Sequence, residues 1–324
     1  MEIYEYKVPI PGVRFTANVY LIKLENNDAI LVDTGPNAPQ ALDTLKDILK
    51  QAEVSWENIK HILVTHGHYD HFSFAAQIVE LTGAHVYIHP ADHQKLTATS
   101  ENPFFGVNDQ EEVLPFLVKL GIQKSMIPDL ISEIVTAKRG YKPLLDSSIH
   151  SLADGTNLNF HDLTIKVIHT PGHSAGSCCF QLLENDVVFT GDTLLPNITP
   201  NPLIEIAGEE RDQNIVRLQD SMTKIRLLGA SKAYPGHGKS ILSVNSAIDK
   251  QLIRMAKRCE QVFQILGAQS LTTYSIANQL FPSRSGRYQN WLALSETLGQ
   301  LGWLRIQNRV RVRQDAGVAY WEAQ

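Results

Sequence analysis

The stretch that decides the fold is residues 62–71, ILVTHGHYDH, in which an apolar run leads directly into a turn with three histidines and an aspartate. The apolar run predicts a buried strand. His66 and His68, two residues apart in an extended turn, can point the same way, and Asp70 and His71 begin the helix that follows. Because neutral imidazole and carboxylate are ligands for divalent ions such as zinc, this spacing predicts a metal site at a strand end.

Four other places repeat the pattern of a strand followed by a short polar turn. They are AILVDTG with Asp33, VIHTPGHS with His173, VVFTGDT with Asp192 and AYPGHG with His237. Alone, such a histidine is usually a hydrogen-bonded core residue, and such an aspartate a turn-former. Since strand ends in an open sheet deliver side chains to a common edge, the five turns together can converge on one cleft.

The candidate ligands number seven, which is more than one tetrahedral ion needs: His66, His68, Asp70, His71, His173, Asp192 and His237. Two ions roughly 3.5–4 Å apart, bridged by a carboxylate and a hydroxide, would use all seven. We therefore predict two divalent ions per chain, with zinc the best match and manganese or iron also compatible with nitrogen and oxygen ligands. The other seven histidines are expected to be structural or exposed: His61, His85, His89, His93, His150, His161 and His169.

The sequence predicts a catalytic domain over residues 1–243 and a separate C-terminal domain over residues 244–324. Strand and helix patterns alternate over the first 90 residues, which is typical of α/β packing. Residues 92–150 interrupt this pattern with two helical segments, 111–120 and 127–138, which we interpret as an inserted lid. Its apolar residues, including Phe104 and Phe105, could cover an acyl chain. The tail is predicted to end in small strands at 303–306, 310–312 and 318–321.

THGHYDH resembles the HxHxDH signature of the metallo-β-lactamase superfamily, and the other four motifs follow in that family's order over residues 1–240. The resemblance implies a four-layer αββα sandwich with a di-metal site at one edge of its sheets. It also implies one ion on His66, His68 and His173, a second on Asp70, His71 and His237, and Asp192 as the bridge. Asp33 would orient a ligand, while Asp70 and Asp192 could orient the attacking hydroxide or pass a proton.

Departures from the family pattern reduce the number of activities that are expected of this chain. The best-known zinc β-lactamases place a cysteine ligand where this chain has Asp192, or lack the bridging carboxylate, so antibiotic hydrolysis is not expected. The chain is most similar to the glyoxalase II-like branch of acyl hydrolases. Its tail resembles the winged-helix domain of a subgroup that holds ester or thioester hydrolases and an RNA endonuclease. Persulfide dioxygenases keep much of the same pattern but use a single iron.

The composition of the chain bears on its cellular location and on the kind of partner that it binds. Its 324 residues are 43% hydrophobic and 19% charged, without an 18-residue apolar run or an N-terminal secretory signal, so no membrane span and a cytoplasmic location are predicted. Three cysteines cannot form a disulfide framework, and we expect buried thiols. The tail is basic, with nine Lys/Arg against four Asp/Glu in residues 251–324. Its helix over 290–302 has no cation, so nucleic acid is not the expected partner.

We therefore predict a di-metal hydrolase that acts on a carboxylic ester, thioester or lactone through a hydroxide that bridges the two ions. A small acyl compound is the expected partner, and the tail could wall the active site or support a homodimer. Two alternatives stay open: an RNA endonuclease assisted by the winged helix, and a mononuclear iron persulfide dioxygenase.

Overall fold

The computed structural model describes residues 1–11, 15–98, 112–137, 142–204, 213–283 and 287–324. Two main sheets form the body. The first runs in chain order from β1 to β6: Glu2–Pro9, Thr16–Lys23, Ala29–Val32, Ile59–Leu63, His85–Ile88 and Ile149–Ser151. The second has the order β11-β10-β9-β8-β7, in which β7 to β11 are Asn157–Phe160, Leu163–His169, Cys178–Leu182, Val187–Gly191 and Lys232–Pro235.

Ten α-helices accompany these sheets in the described part of the chain. In order, α1 to α10 are Ala41–Ala52, Tyr69–Phe72, Ala75–Thr82, Pro90–Thr97, Leu114–Lys119, Ile127–Ala137, Asn214–Leu227, Val244–Leu266, Thr273–Leu280 and Arg287–Ile306. None of the helices in these described ranges has both the length and the hydropathy that a membrane span requires.

Strand β2 shows why the sheets stack face to face. Its residues are almost all buried, with Val19 and Leu21 packed toward α1 and α3, while Tyr20 and Ile22 pack against the second sheet. A strand buried on both faces reads as a continuous apolar run instead of an alternating one. Because α7 and α8 cover the outer face of the second sheet, the layers run helix, sheet, sheet, helix. The four-layer αββα sandwich expected from the sequence is confirmed.

The ends of four parallel strands meet at one edge of the sandwich. β3 pairs in parallel with β4 in the first sheet, and β10 pairs in parallel with β11 in the second. The two sheets are tied together at this edge, where the Cys178 N–H donates to the Thr65 carbonyl at 2.8 Å. The loops that follow these strands therefore lie beside one another.

The C-terminal unit, which runs from α8 to β14, has its own hydrophobic core and its own sheet. That sheet has the order β12-β14-β13, where β12, β13 and β14 are Leu271–Thr272, Val310–Asp315 and Val318–Ala323. Helices α5 and α6 of the predicted insertion join the same core, where Phe116, Leu117 and Ile127 are buried together with side chains of α8, α9 and α10. These apolar residues therefore pack into the core of the C-terminal unit, and their role as a cover over an acyl chain stays a prediction. Residues 103–105 lie outside the described residues.

Two boundaries differ from the sequence predictions. The predicted small strand over 303–306 is wrong, because Leu304 continues the buried stripe of α10 and the Gln307 N–H donates to the Trp303 carbonyl in helical fashion. The predicted insertion over 92–150 also contains β6, which pairs in parallel with β5 and completes the first sheet. The expectation of buried, unpaired thiols is confirmed for Cys178, Cys179 and Cys259.

Candidate metal centre

The structure brings together all eight residues singled out by the five motifs. Asp33 follows β3, residues 66–71 follow β4 and enter α2, and His173, Asp192 and His237 follow β8, β10 and β11. Six of the eight are buried, and His68 and Asp70 are partly exposed. Loops at strand ends therefore concentrate polar side chains at an edge where the apolar layers stop.

Three histidines form the first subsite. His173 Nε2 lies 2.8 Å from His68 Nδ1 and 3.2 Å from His66 Nε2. The three nitrogen atoms thus converge on one point, which is the arrangement required of three ligands to a single ion.

A carboxylate and two histidines form the second subsite. Asp70 Oδ2 lies 3.4 Å from His237 Nε2 and 3.9 Å from His71 Nε2. Asp192 stands between the two subsites, since its Oδ2 is 3.6 Å from His173 Nε2 and 3.3 Å from His237 Nε2. One carboxylate can therefore contact both groups of ligands.

Hydrogen bonds at the outer nitrogens fix which nitrogen faces the centre. His173 Nδ1 donates to the Asn201 carbonyl at 2.7 Å, and His237 Nδ1 donates to the Thr16 carbonyl at 2.8 Å. His71 Nδ1 donates to Asp33 Oδ2 at 2.7 Å. Because a carbonyl or carboxylate only accepts, each Nδ1 carries a proton, which leaves Nε2 as the nitrogen that can bind a metal ion.

Asp33 connects both subsites without facing either. Besides His71, its carboxylate accepts hydrogen bonds from the Thr65 N–H at 2.7 Å and the Thr65 hydroxyl at 2.8 Å. The Thr65 oxygen in turn lies 3.1 Å from His66 Nδ1. Asp33 has a left-handed backbone with a φ of 59°, which aspartate tolerates better than most residues. It therefore orients one histidine of each subsite.

Burial and charge prepare the first subsite for a cation. Burial lowers the pKa of His66, and the neighbouring histidines lower it further. The pKa of His68 is lowered in the same way. For His173, burial also lowers the pKa, and Asp192 offsets this only in part. All three imidazoles are therefore held neutral, as metal ligands must be.

The second subsite is charged in the metal-free protein. Burial opposes ionisation of Asp192, but the adjacent His237 and His71 outweigh it and lower the pKa of this carboxyl. The pKa of His237 is raised, because Asp192 and Asp70 overcome the effect of its burial. Protons on these imidazoles thus offset the charge of the carboxylates, a role that a divalent ion would take over with release of protons.

Two buried atoms in this centre have no hydrogen-bond partner among the described residues, His71 Nε2 and Asp192 Oδ1. They lie 3.6 Å apart, which is too far for a hydrogen bond. Gly236 packs against both side chains, and a Cβ placed there would come within 2.6 Å of His71 Cε1. Buried polar atoms are costly unless satisfied, so a cation between them fits the residues present.

A family model described as the metallo-beta-lactamase superfamily matches residues 12–237. The chain belongs to the metallo-beta-lactamase superfamily. The match contains all five motifs of the candidate centre and ends on His237.

Related proteins cover the whole chain. "Probable metallo-hydrolase YqjP" of Bacillus subtilis (strain 168) is 27% identical over 328 residues, which are 99% of this chain and 95% of that protein. The crystal structure of the metallo-beta-lactamase family protein TTHA1429 from Thermus thermophilus superposes with a TM-score of 0.82 at 24% identity, over 99% of this chain and 98% of that one. The fold of this superfamily member, including its C-terminal unit, is therefore shared with a solved structure.

An atrochrysone carboxyl ACP thioesterase of Aspergillus fumigatus (strain ATCC MYA-4609 / CBS 101355 / FGSC A1100 / Af293) is 25% identical over 262 residues. These are 79% of this chain and 46% of that protein. This chain thus matches less than half the length of that thioesterase.

Sequence reasoning missed Asp92, which joins the loops of the first subsite. This fully buried carboxylate accepts hydrogen bonds from the Gly67 N–H at 2.8 Å and the Ser174 hydroxyl at 2.7 Å, and it pairs with Lys95 at 2.6 Å. Gly67 lies between His66 and His68, and Ser174 follows His173. Like the residues of the five motifs, Asp92 follows soon after a strand, β5. It differs from them because it lies inside the first turn of α4 and has no glycine beside it.

Proposed function

We propose that this protein is a di-metal hydrolase that cleaves a carboxylic ester, thioester or lactone. The observation that carries the proposal is the convergence of seven candidate ligands in two groups with Asp192 between them, with histidine nitrogens turned inward and two buried atoms without a hydrogen-bond partner among the described residues. A second complete group at Asp70, His71 and His237 supports two ions over the single iron of a persulfide dioxygenase. Zinc is the proposed metal, because it favours nitrogen and oxygen ligands in open catalytic sites.

Two bound ions would supply Lewis acidity and lower the pKa of a bound water to about 7. The chain's own residues would bind these ions and orient the reacting groups. Asp70 is the most exposed carboxylate of the centre, with 16% of its side chain accessible against 9% for Asp192 and 3% for Asp33. The pKa of Asp70 is lowered by His71 and His237 against the effect of burial. Asp70 is therefore ionised at the cleft, where it can bind the second ion and orient the attacking hydroxide by accepting a hydrogen bond from it.

The described part of the tail supports a packing role over binding of RNA. Its order of helix, strand, two helices and two strands, from α8 to β14, supports a winged-helix domain. The helix that would read a nucleic acid, α10, is buried over most of its length, including Leu294, Leu298 and Leu301. Arg309, Arg311 and Arg313 form ion pairs with acidic residues of the same unit. We therefore propose an acyl substrate and no nucleic-acid partner.

A substrate panel tests this function. Metal-loaded protein is assayed against aryl esters, acyl thioesters, lactones, bis-p-nitrophenyl phosphate and single-stranded RNA. We expect hydrolysis of at least one acyl class, loss of activity on chelation and its return with added zinc. RNA cleavage that is lost on chelation, with all acyl compounds inert, would contradict the proposal and favour the endonuclease.

A further inference from the structure

A short segment of the catalytic domain, residues 201–204, lies on helix α10 of the C-terminal unit. The Asn201 side-chain amide donates to the Leu292 carbonyl at 2.9 Å, and the Ile204 N–H donates to the Ser295 hydroxyl at 3.4 Å. Pro202 packs so closely on Gly299 that a Cβ there would come within 2.8 Å of the proline ring. The segment is therefore held at three positions of α10 that lie about one helical turn apart.

The same segment holds a candidate metal ligand. The Asn201 carbonyl accepts from His173 Nδ1 at 2.7 Å and from the Leu203 N–H at 2.9 Å. The first bond fixes the tautomer and the ring orientation of His173, and hence the position of Nε2 among His66, His68 and Asp192. The side chain of Asn201 thus faces the C-terminal unit, while its carbonyl faces the metal centre.

We infer that Asn201 is a positioning residue through which the C-terminal unit sets the metal affinity of the subsite at His66, His68 and His173. The inference rests on the proposed di-metal function, but it concerns metal binding alone and not the substrate. It assigns the C-terminal unit a task in the centre although no residue of that unit is among the candidate ligands. Within the described ranges the outer nitrogens of the second subsite bond to the catalytic domain instead, since His71 and His237 are held by Asp33 and by the Thr16 carbonyl.

The test compares Asn201→Ala with a matched control, Asn214→Ala. Asn214 in α7 also donates its side-chain amide to a carbonyl of this segment, that of Leu203, at 2.8 Å. That bond comes from the catalytic domain and does not reach His173. Removing the Asn201 side chain should therefore lower metal affinity at the first subsite specifically, whereas a general loosening of the segment would lower metal affinity in both variants.

Co²⁺ titration of the metal-free protein is the measurement. The two subsites are distinguished by the paramagnetically shifted ring N–H signals of His173 on one side and of His71 and His237 on the other. For Asn201→Ala we expect about a 10-fold loss of Co²⁺ affinity at the first subsite, the lower end of the effect of losing support behind a metal-bound histidine, because the main-chain carbonyl that accepts from His173 remains and only its anchor to Leu292 is lost. The second subsite of this variant, and both subsites of Asn214→Ala, should stay within about twofold of wild type.

Two further readouts keep the inference open to refutation if Asn201→Ala folds poorly. The nearly isosteric Asn201→Asp loses the donor to Leu292, and Gly299→Ala pushes Pro202 away from α10, so both should weaken the first subsite as well. In the metal-free protein, the Nδ1–H resonance of His173 should shift in all three variants and remain unchanged in Asn214→Ala. Equal losses at both subsites, or wild-type affinity with an unmoved His173 resonance, would overturn the inference. A wild-type protein that binds Co²⁺ at neither subsite would overturn the proposed function as well.

Discussion

Asp192→Ala is expected to abolish hydrolysis and to lower metal occupancy at both subsites. Asp192 lies within 3.6 Å of nitrogens from each group, His173 on one side and His71 and His237 on the other. Its loss would remove an anionic ligand from both ions and leave His237 without its nearest carboxylate. We expect kcat to fall by about 1,000-fold or more, which corresponds to roughly 4 kcal/mol of lost transition-state stabilisation. Steady-state kinetics together with elemental analysis of the variant measure both effects.

Asp192→Asn separates charge from geometry in this prediction. The amide preserves the shape and one oxygen ligand but carries no negative charge, so this variant should retain more metal than Asp192→Ala and still turn over slowly. Full activity in either variant would contradict the assignment of Asp192 as the bridging residue.

Asp92→Ala is expected to give the largest loss of stability. It removes a fully buried carboxylate that faces the Lys95 ammonium and ties the loops around Gly67 and Ser174. Removing one partner of a buried ion pair typically costs about 3–5 kcal/mol. Chemical denaturation of the metal-free variant measures this loss, and Co²⁺ titration should show weaker binding at the first subsite.

Lys95→Met is the matched control, because it breaks the same ion pair but keeps the hydrogen bonds from Asp92 to the two loops. It should destabilise the protein while leaving metal affinity closer to that of wild type. If both variants lose the same metal affinity, Asp92 acts on overall stability and does not position the loops.

The pH dependence of Asp92 has a definite sign. Burial would raise its pKa, but Lys95 and the hydrogen bonds from Gly67 and Ser174 outweigh burial and lower it. A lowered pKa contributes stability that is present above the unfolded value of about 3.9 and is lost as the pH falls through the folded value. The difference in unfolding free energy between wild type and Asp92→Asn should therefore be largest near pH 7 and should narrow below about pH 4.

Local sequence patterns predict the candidate ligands of this molecule, because each of them lies in a polar turn that follows a strand. Asp33, Asp192 and His237 could be grouped with residues 66–71 because each follows an apolar run, and sheet geometry brings such ends together. Short continuous apolar runs also predict most strands, because a run such as residues 29–32, which is buried throughout, is typical of a strand covered on both faces.

The predictions fail where a residue acts through tertiary contacts. Asn201 supports His173 through a main-chain carbonyl, which has no sequence signature. Phe116 and Ile127 have the apolar character of a lid, but they pack into a core whose other half lies more than 120 residues away. The helix predicted over 290–302 continues to Ile306, because Gly302 is buried within α10, where dense packing overrides its low helix propensity.

The most direct test of the di-metal centre is the metal stoichiometry of freshly purified protein that has not been exposed to a chelator. Elemental analysis by inductively coupled plasma mass spectrometry should find two equivalents of divalent metal per chain, with zinc predominant. Asp70→Ala, which removes a ligand from the second subsite alone, should bring the value close to one. A single tightly bound iron in the wild type, with no second site filled by added zinc, would contradict the di-metal account and favour the dioxygenase alternative.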